Sequence, residues 1–395
     1  MLNQQLARML VPSELEIIKM YRTSGRSYQI EATKRSKQEV CRRCASLCKS
    51  IYDHRWVSLR DEPVRGKLIF LKVLKRRFYC KHCRKPFTEP LPGVLPGKRT
   101  TQRFQKSVMW ACETFQDLKR VRRQYACSYD FIYKAHYDQL ERKRRKHNMY
   151  PWPKSLGIDE HGFRRNKTYG RREFVTMVVD HKNKKLFDVA LGKSTNELKA
   201  QLGHIPGREN VKSVTIDMCD PYKNFVKDFF PGAKIVADKF HVLRLLSPAL
   251  MRARKEVSGT RADARAKRLL LASIKRLGYS ERRALRTFLS KHSVLEELYQ
   301  WKERLHKFYR TPGYHNASKV LKKMISDMAW SSLPEIQRLR KTLRKWQEEI
   351  LNYWLFRITN ARTEGFNNVA KLVKRRAYGF RSFENYRLKL LSACC

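Results

Sequence analysis

Three carboxylates stand in settings that suit chemistry. Asp159 closes the apolar run Ser155-Leu-Gly-Ile-Asp159, and Asp217 closes Ser213-Val-Thr-Ile-Asp217. Glu364 lies in Asn360-Ala-Arg-Thr-Glu-Gly-Phe-Asn-Asn368, near the start of a basic helix. Each aspartate follows Ile at the predicted C-terminal end of a strand, where a side chain is held rigidly. Carboxylate oxygens are the ligands Mg²⁺ prefers, and two such ions can flank a scissile phosphodiester. Taken one at a time, each acid also reads as a turn former or helix cap. Glu160 and Asp220 are the neighbours most easily mistaken for the pair.

On a helix from Arg362 to Arg375, Glu364 shares a face with Asn367, Asn368, Lys371 and Arg375. The apolar Phe366, Val369, Ala370 and Val373 cluster on another side. The expectation is one face on a core and an acid-amide-base stripe turned outward to DNA. Gly365 costs such a helix about 1 kcal/mol relative to Ala, which suggests close approach by a metal, DNA or another backbone.

A second chemistry belongs to the cysteines. Cys41-x-x-Cys44 and Cys80-x-x-Cys83 are two knuckles able to close a tetrahedral structural zinc site. Cys48, His54 and His82 are possible substitute ligands. The remaining cysteines are scattered, which fits metal ligation in a reducing cytosol better than a disulfide framework.

These groups need positioning elements. Residues 1–38 read as a polar N-terminal segment with one amphipathic stretch around Leu15, Ile17, Ile18 and Tyr21. Residues 39–92 read as a zinc-binding domain with short strands at Lys67–Leu74 and Arg76–Cys80. Residues 98–150 carry three helical patterns, Thr101–Phe115, Gln116–Tyr125 and Tyr129–Arg142, with a break at Ala126-Cys-Ser128. That spacing predicts a helix-turn-helix. Arg120, Arg122 and Arg123 on its second helix, with Tyr133, Lys134 and His136 on the third, are the expected DNA contacts, along with Lys119 and Tyr129. Past Pro151-Trp-Pro153 the order becomes β-β-β-α-β-α-β-α over residues 154–244. Residues 245–355 are helical and basic, and 356–395 helical again.

The chain has 87 Lys+Arg against 36 Asp+Glu, a formal net charge of +51. The obvious partner is a polyanion. With 42% hydrophobic residues, the chain can still build cores and is not a disordered basic tail. No apolar run approaches the roughly 20 residues of a spanning helix, and no secretory signal is visible. The plainer alternatives are a solvated basic surface or an RNA binder.

The element order, with acids after strands one and four, resembles the α/β ribonuclease H-like fold. Gly157-Ile-Asp-Glu160, Ile216-Asp-Met-Cys-Asp-Pro-Tyr222, Val236-Ala-Asp-Lys-Phe-His241 and Thr359-Asn-Ala-Arg-Thr-Glu-Gly-Phe-Asn-Asn368 are more specific. With Lys371-Leu-Val-Lys-Arg-Arg-Ala-Tyr-Gly-Phe380 and Phe383-Glu-Asn-Tyr386, they resemble the bacterial DDE transposases of the ISL-three insertion-sequence family. The likeness runs from about Cys41 to Leu391.

That resemblance implies a ribonuclease H-like catalytic core interrupted by an all-helical insertion, preceded by a zinc-ribbon-like finger and a helix-turn-helix. It implies a triad of Asp159, Asp217 and Glu364 holding two Mg²⁺ (or Mn²⁺) ions, with strands one and four adjacent. Asp238-x-x-His241 resembles a signature of such enzymes, read here as support for the triad. The implied partners are double-stranded DNA (inverted repeats and target) and further copies of the chain, in a bacterial cytoplasm on the nucleoid, with no membrane. The alternatives are a nuclease or resolvase that cuts without joining, and a zinc-finger regulator descended from a transposase.

Overall fold

The computed structural model describes residues 10–114, 117–147, 150–165, 170, 172–259 and 264–394. The chain forms two compact units, the first running to Arg142 with Arg376–Gly379 grouped with it, the second comprising Lys143–Arg375 and the segment from Phe380.

In the first unit, β1 (Leu15–Ser24) and β2 (Ser27–Lys34) make a hairpin. The strands β5 (Ile51–Val64) and β6 (Lys67–Cys80) make a longer one, and β7 (Lys85–Thr88) returns along the end of β6. The short β3 (Glu39–Val40) and β4 (Leu47–Cys48) pair with each other. The main sheet runs β1-β2-β6-β5, with β2 parallel to β6. Alternate residues Ile69, Leu71 and Val73 are buried against Ile30, Ala32 and Leu59. Two expectations change. The stretch around Leu15 is not a separate N-terminal segment but two strands of the sheet that carries the cysteines; positions 1–9 lie outside the described residues. Lys67–Leu74 and Arg76–Cys80 are one strand, because Lys75 continues the pairing with Arg55.

Three helices follow: α1 (Gln102–Thr114), α2 (Leu118–Tyr125) and α3 (Tyr129–His147). Asp117 caps α2 through the Arg120 N–H, and Ser128 caps α3 through the Phe131 N–H. Ala126 makes the turn between them with φ 46°. Phe104, Val108, Val121, Tyr125 and Ile132 form their core.

The second unit is built on β8 (Ser155–Arg165), β9 (Arg172–Asp180), β10 (Lys185–Leu191), β11 (Ser213–Ile216) and β12 (Lys234–Ala237), in the order β10-β9-β8-β11-β12. The first three are antiparallel; β11 lies parallel to β8 and β12 parallel to β11. The first and fourth strands are therefore neighbours. Period-two alternation sends Leu156, Ile158, Val214 and Ile216 to one face. There they meet α4 (Thr195–Leu202), α5 (Asp220–Phe229) and α6 (Lys239–Arg244). Phe163, Val175, Met177 and Val179 face the other way, under α15 (Ala361–Arg376) and α16 (Phe383–Cys394).

Between the faces in sequence come α7 (Ser247–Ser258), α8 (Ala264–Leu271), α9 (Tyr279–Leu289), α10 (Ser293–Phe308), α11 (Tyr314–Asp327), α12 (Pro334–Lys345), α13 (Gln347–Leu351) and α14 (Tyr353–Phe356). This helical stretch was expected from its pattern. Its apolar residues, from Leu250 to Trp354, belong to the same cluster as Ile158 and Ile216, so it shares one core with the sheet.

Candidate active site

The β8 strand carries the first acid, and not at its end as expected. It runs six residues past Asp159 to Arg165, paired with β9 except for a bulge at Phe163. Its other neighbour stops earlier: pairing with β11 ends at Gly157↔Thr215. Beyond that point the edge of β8 is open, and the Ile158 carbonyl is taken by the Asn360 side chain at 3.0 Å. Asp159 stands at this notch, with His161 two residues further along the same strand and Asn367 bonded to both. Asp159 accepts from its neighbour Glu160 N–H at 2.8 Å and from Asn367 Nδ2 at 2.7 Å. Glu160 turns to the opposite face, where its charge lies beside Tyr222. Asp220 heads α5 and pairs with Lys345 at 2.6 Å.

Asp217 follows β11 and approaches Asp159 from the parallel strand. Burial first, then the Asp217 charge, pushes the Asp159 carboxyl up to about 7. Asp217 Oδ1 is buried without an aligned hydrogen-bond partner, although His241 Nδ1 lies 3.0 Å away. Two part-buried carboxylates this close repel each other, as the raised Asp159 shows, and a cation at the notch would offset that repulsion.

Asp238 follows β12. Its Oδ2 caps α6 through the Phe240 and His241 N–H groups and takes a 3.0 Å contact from His241 Nδ1. Its Oδ1 accepts the Asn360 N–H at 2.8 Å. Buried as it is, Asp238 is still held below the usual carboxylate range by these bonds, and the two aspartates raise His241 to about 10. With both oxygens engaged, Asp238 supports the notch. It also stands with Asp217 and His241 in one of two described groups compact enough for a metal ion, all ligand atoms within 4.8 Å.

Glu364 occupies the first turn of α15. It is exposed, with Arg244 Nη1 at 3.9 Å, and Asp159, Asp217 and Glu364 do not close to that 4.8 Å spacing. What brings its helix to the notch is Asn360 before it and Asn367 one turn after it. The expected outward stripe is thus half right. Lys371, Arg375 and Asn368 are exposed, but Asn367 is turned inward, buried and bound to Asp159 and His161. Gly365 faces open space, so its expected close approach is not made within the chain. The glycine that does need to be one is Gly157: a Cβ there would meet Thr363 Oγ1 at 2.6 Å and Asn360 Oδ1 at 2.9 Å.

The model of a transposase family of the ISL-three type matches residues 156–390. The chain is also 24% identical over 384 residues to the transposase for insertion sequence element IS1001 of Bordetella parapertussis, covering 93% of this chain and 92% of that protein. The chain belongs to the ISL-three family of transposases.

Elsewhere in this transposase, Arg120, Arg122 and Arg123 are exposed on α2, and Tyr133 and Lys134 on α3. Val121 and Ile132 between them point into the core. Arg122 stacks over Tyr129 at 5.0 Å. His136, expected among the DNA contacts, is buried at 2% exposure rather than turned outward with Tyr133 and Lys134. Cys41, Cys44, Cys80 and Cys83 form the other compact group, with sulfurs within 4.8 Å. Their turns close on left-handed residues, Ala45 at φ 59° and Arg84 at φ 52°, a region glycine usually fills. Hydrogen bonding with Ser46 draws Cys44 down to about 5, and the contact with Cys44 pushes Cys83 up to about 12. Four thiols this close resist joint ionisation unless a cation joins them, and the donor set suits tetrahedral zinc. Cys48 packs beside them, but neither it nor His54 or His82 is among the four.

Sequence reasoning missed His161, Asn360 and Thr363 as parts of this site. Their signal was positional: His161 stands two residues after Asp159, on the same face of a strand.

Proposed function

We propose that the transposase binds the terminal inverted repeats of its element, cleaves a phosphodiester to free a 3′-hydroxyl, and directs that hydroxyl at target DNA. The catalytic core is read as ribonuclease H-like, consistent with the strand order. Asp159, Asp217 and Glu364 would hold divalent metal, Mg²⁺ or Mn²⁺, which when bound supplies Lewis-acid stabilisation of the phosphate and lowers the pKa of a bound water. The observation that carries this reading is the convergence of Asp159 and Asp217 where β8 outruns β11, with the Glu364 helix latched to the same strand by Asn360.

The residues have distinct parts. Asp159 on β8 and Asp217 just after β11 would provide oxygen ligands. Glu364 stands on a helix end and would complete the site as DNA enters. Asp238 and His241 hold the floor. Lys371 and Arg375, with the basic faces of α2 and α3, would carry the phosphate backbone. Water first, and then the freed 3′-hydroxyl, is the nucleophile, so the chain forms no covalent bond to DNA. The four-cysteine cluster would hold structural zinc. Two ends must be joined, so the working form would be a dimer or larger assembly on DNA.

The test uses duplexes carrying the ends of the element. Glu364→Ala is expected to abolish cleavage while leaving duplex binding nearly unchanged; unaltered cleavage would remove Glu364 from the site. A pre-cleaved end should be joined to target DNA. Cutting without joining would mark a nuclease or resolvase. Binding with neither would mark a regulator.

A further inference from the structure

The β8 face holds a polar chain that the cleavage chemistry does not itself call for. Tyr386 Oη lies 2.6 Å from His161 Nε2, His161 Nδ1 lies 3.1 Å from Asn367 Oδ1, and Asn367 Nδ2 donates to Asp159 Oδ2 at 2.7 Å. The three supporting residues are buried, at 0%, 6% and 5% exposure. They come from three elements: Tyr386 from α16, His161 from β8 and Asn367 from α15.

With Asp159 ionised, as a metal ligand must be, donor counting fixes the direction of every bond. An ionised Asp159 only accepts, so the amide of Asn367 must turn its nitrogen to Asp159 and its oxygen to His161. His161 Nδ1 must then carry a proton. The neutral ring leaves Nε2 as an acceptor, and the Tyr386 hydroxyl donates to it. All three protons point toward Asp159, an arrangement in which each bond strengthens the next. Were Nδ1 bare, the amide could flip and set its oxygen against the carboxylate.

We propose that Tyr386, His161 and Asn367 form a positioning relay that fixes the carboxylate of Asp159 and, because Asn367 lies one turn from Glu364, the station of the Glu364 helix as well. The inference rests on the reading of Asp159 as a metal ligand. The three residues touch no substrate. They act as the hydrogen-bonding partners behind metal ligands do, where substitution costs about 10- to 100-fold in metal affinity.

Mn²⁺ binding to the full-length chain, followed by the loss of the free-ion electron paramagnetic resonance signal, tests the relay without any DNA. His161→Leu and Asn367→Leu are expected to weaken binding about 10- to 100-fold, and Tyr386→Phe to weaken it less. His161→Asn is similar in size to the Leu variant but restores a donor at the δ position, so it should bind more tightly than His161→Leu at a similar melting temperature. That difference is one a merely space-filling histidine would not produce, and it survives even if one variant is partly destabilised. Equal affinities in the Leu and Asn variants, or wild-type affinity in Asn367→Leu, overturn the relay if Asp159→Ala still loses binding. Undiminished binding in Asp159→Ala removes the underlying reading, and the relay with it.

Discussion

Asp159 is the residue on which the site's chemistry turns. Burial and the nearby Asp217 raise it to about 7, so the metal-free folded chain keeps a proton there that the unfolded chain sheds near the ordinary carboxylate value of about 4. Between those values the folded state binds more protons than the unfolded one. Stability of the metal-free chain from this group is therefore highest below about pH 4 and falls as pH rises to about 7. A divalent cation needs the proton gone. Mg²⁺ should consequently raise the melting temperature little at about pH 6 and clearly more at about pH 8. Thermal melts with and without Mg²⁺ check this, and Asp159→Asn should flatten the difference. Three acids were legible as residues because each sits in an apolar or basic setting that does not favour it. Their partners were not: His161 could be placed on the face of Asp159 by its spacing, but nothing in the chain order shows that Asn360 and Asn367 come to the same notch.

At the scale of elements, the decisive contact is α15 against β8. Gly157 lets Thr363 and Asn360 come within reach of the strand, closer than any side chain would allow. Gly157→Ala should overpack this contact at a cost of about 1–3 kcal/mol and move the helix that bears Glu364. The expected outcome is a lowered melting temperature with DNA cleavage reduced more than DNA binding. A variant that melts and cleaves as the parent would show that the helix need not sit so close. The length of β8 was misread for a related reason. The apolar run ends at Asp159, but β9 pairs with Glu160, His161 and Gly162, and Lys374 takes the carbonyls of Gly162 and Phe163. Polar residues remain in a strand when a covering helix supplies their partners. By contrast the three helices α1, α2 and α3 were readable, since their apolar period and caps are local.

Across the molecule, a formal charge of +51 dominates. If most binding comes from phosphate neutralisation, affinity for duplex DNA should fall about 10³- to 10⁵-fold between roughly 50 and 200 mM salt for a footprint of 6–10 phosphates. Filter or fluorescence binding across that range gives the slope, and a weak dependence would argue against the basic surface as the main DNA contact. Composition and local periodicity were enough to fix the charge, the paired knuckles, the helical stretches and the three candidate acids, because these depend on neighbours within a few residues. The two hairpins that share one sheet around the cysteines, the core common to the helical stretch and the β8 sheet, and the notch where β8 outruns β11 depend on pairings between distant segments. Only the folded chain could decide which carboxylate met which amide, because a buried polar group takes whatever partner the packing brings.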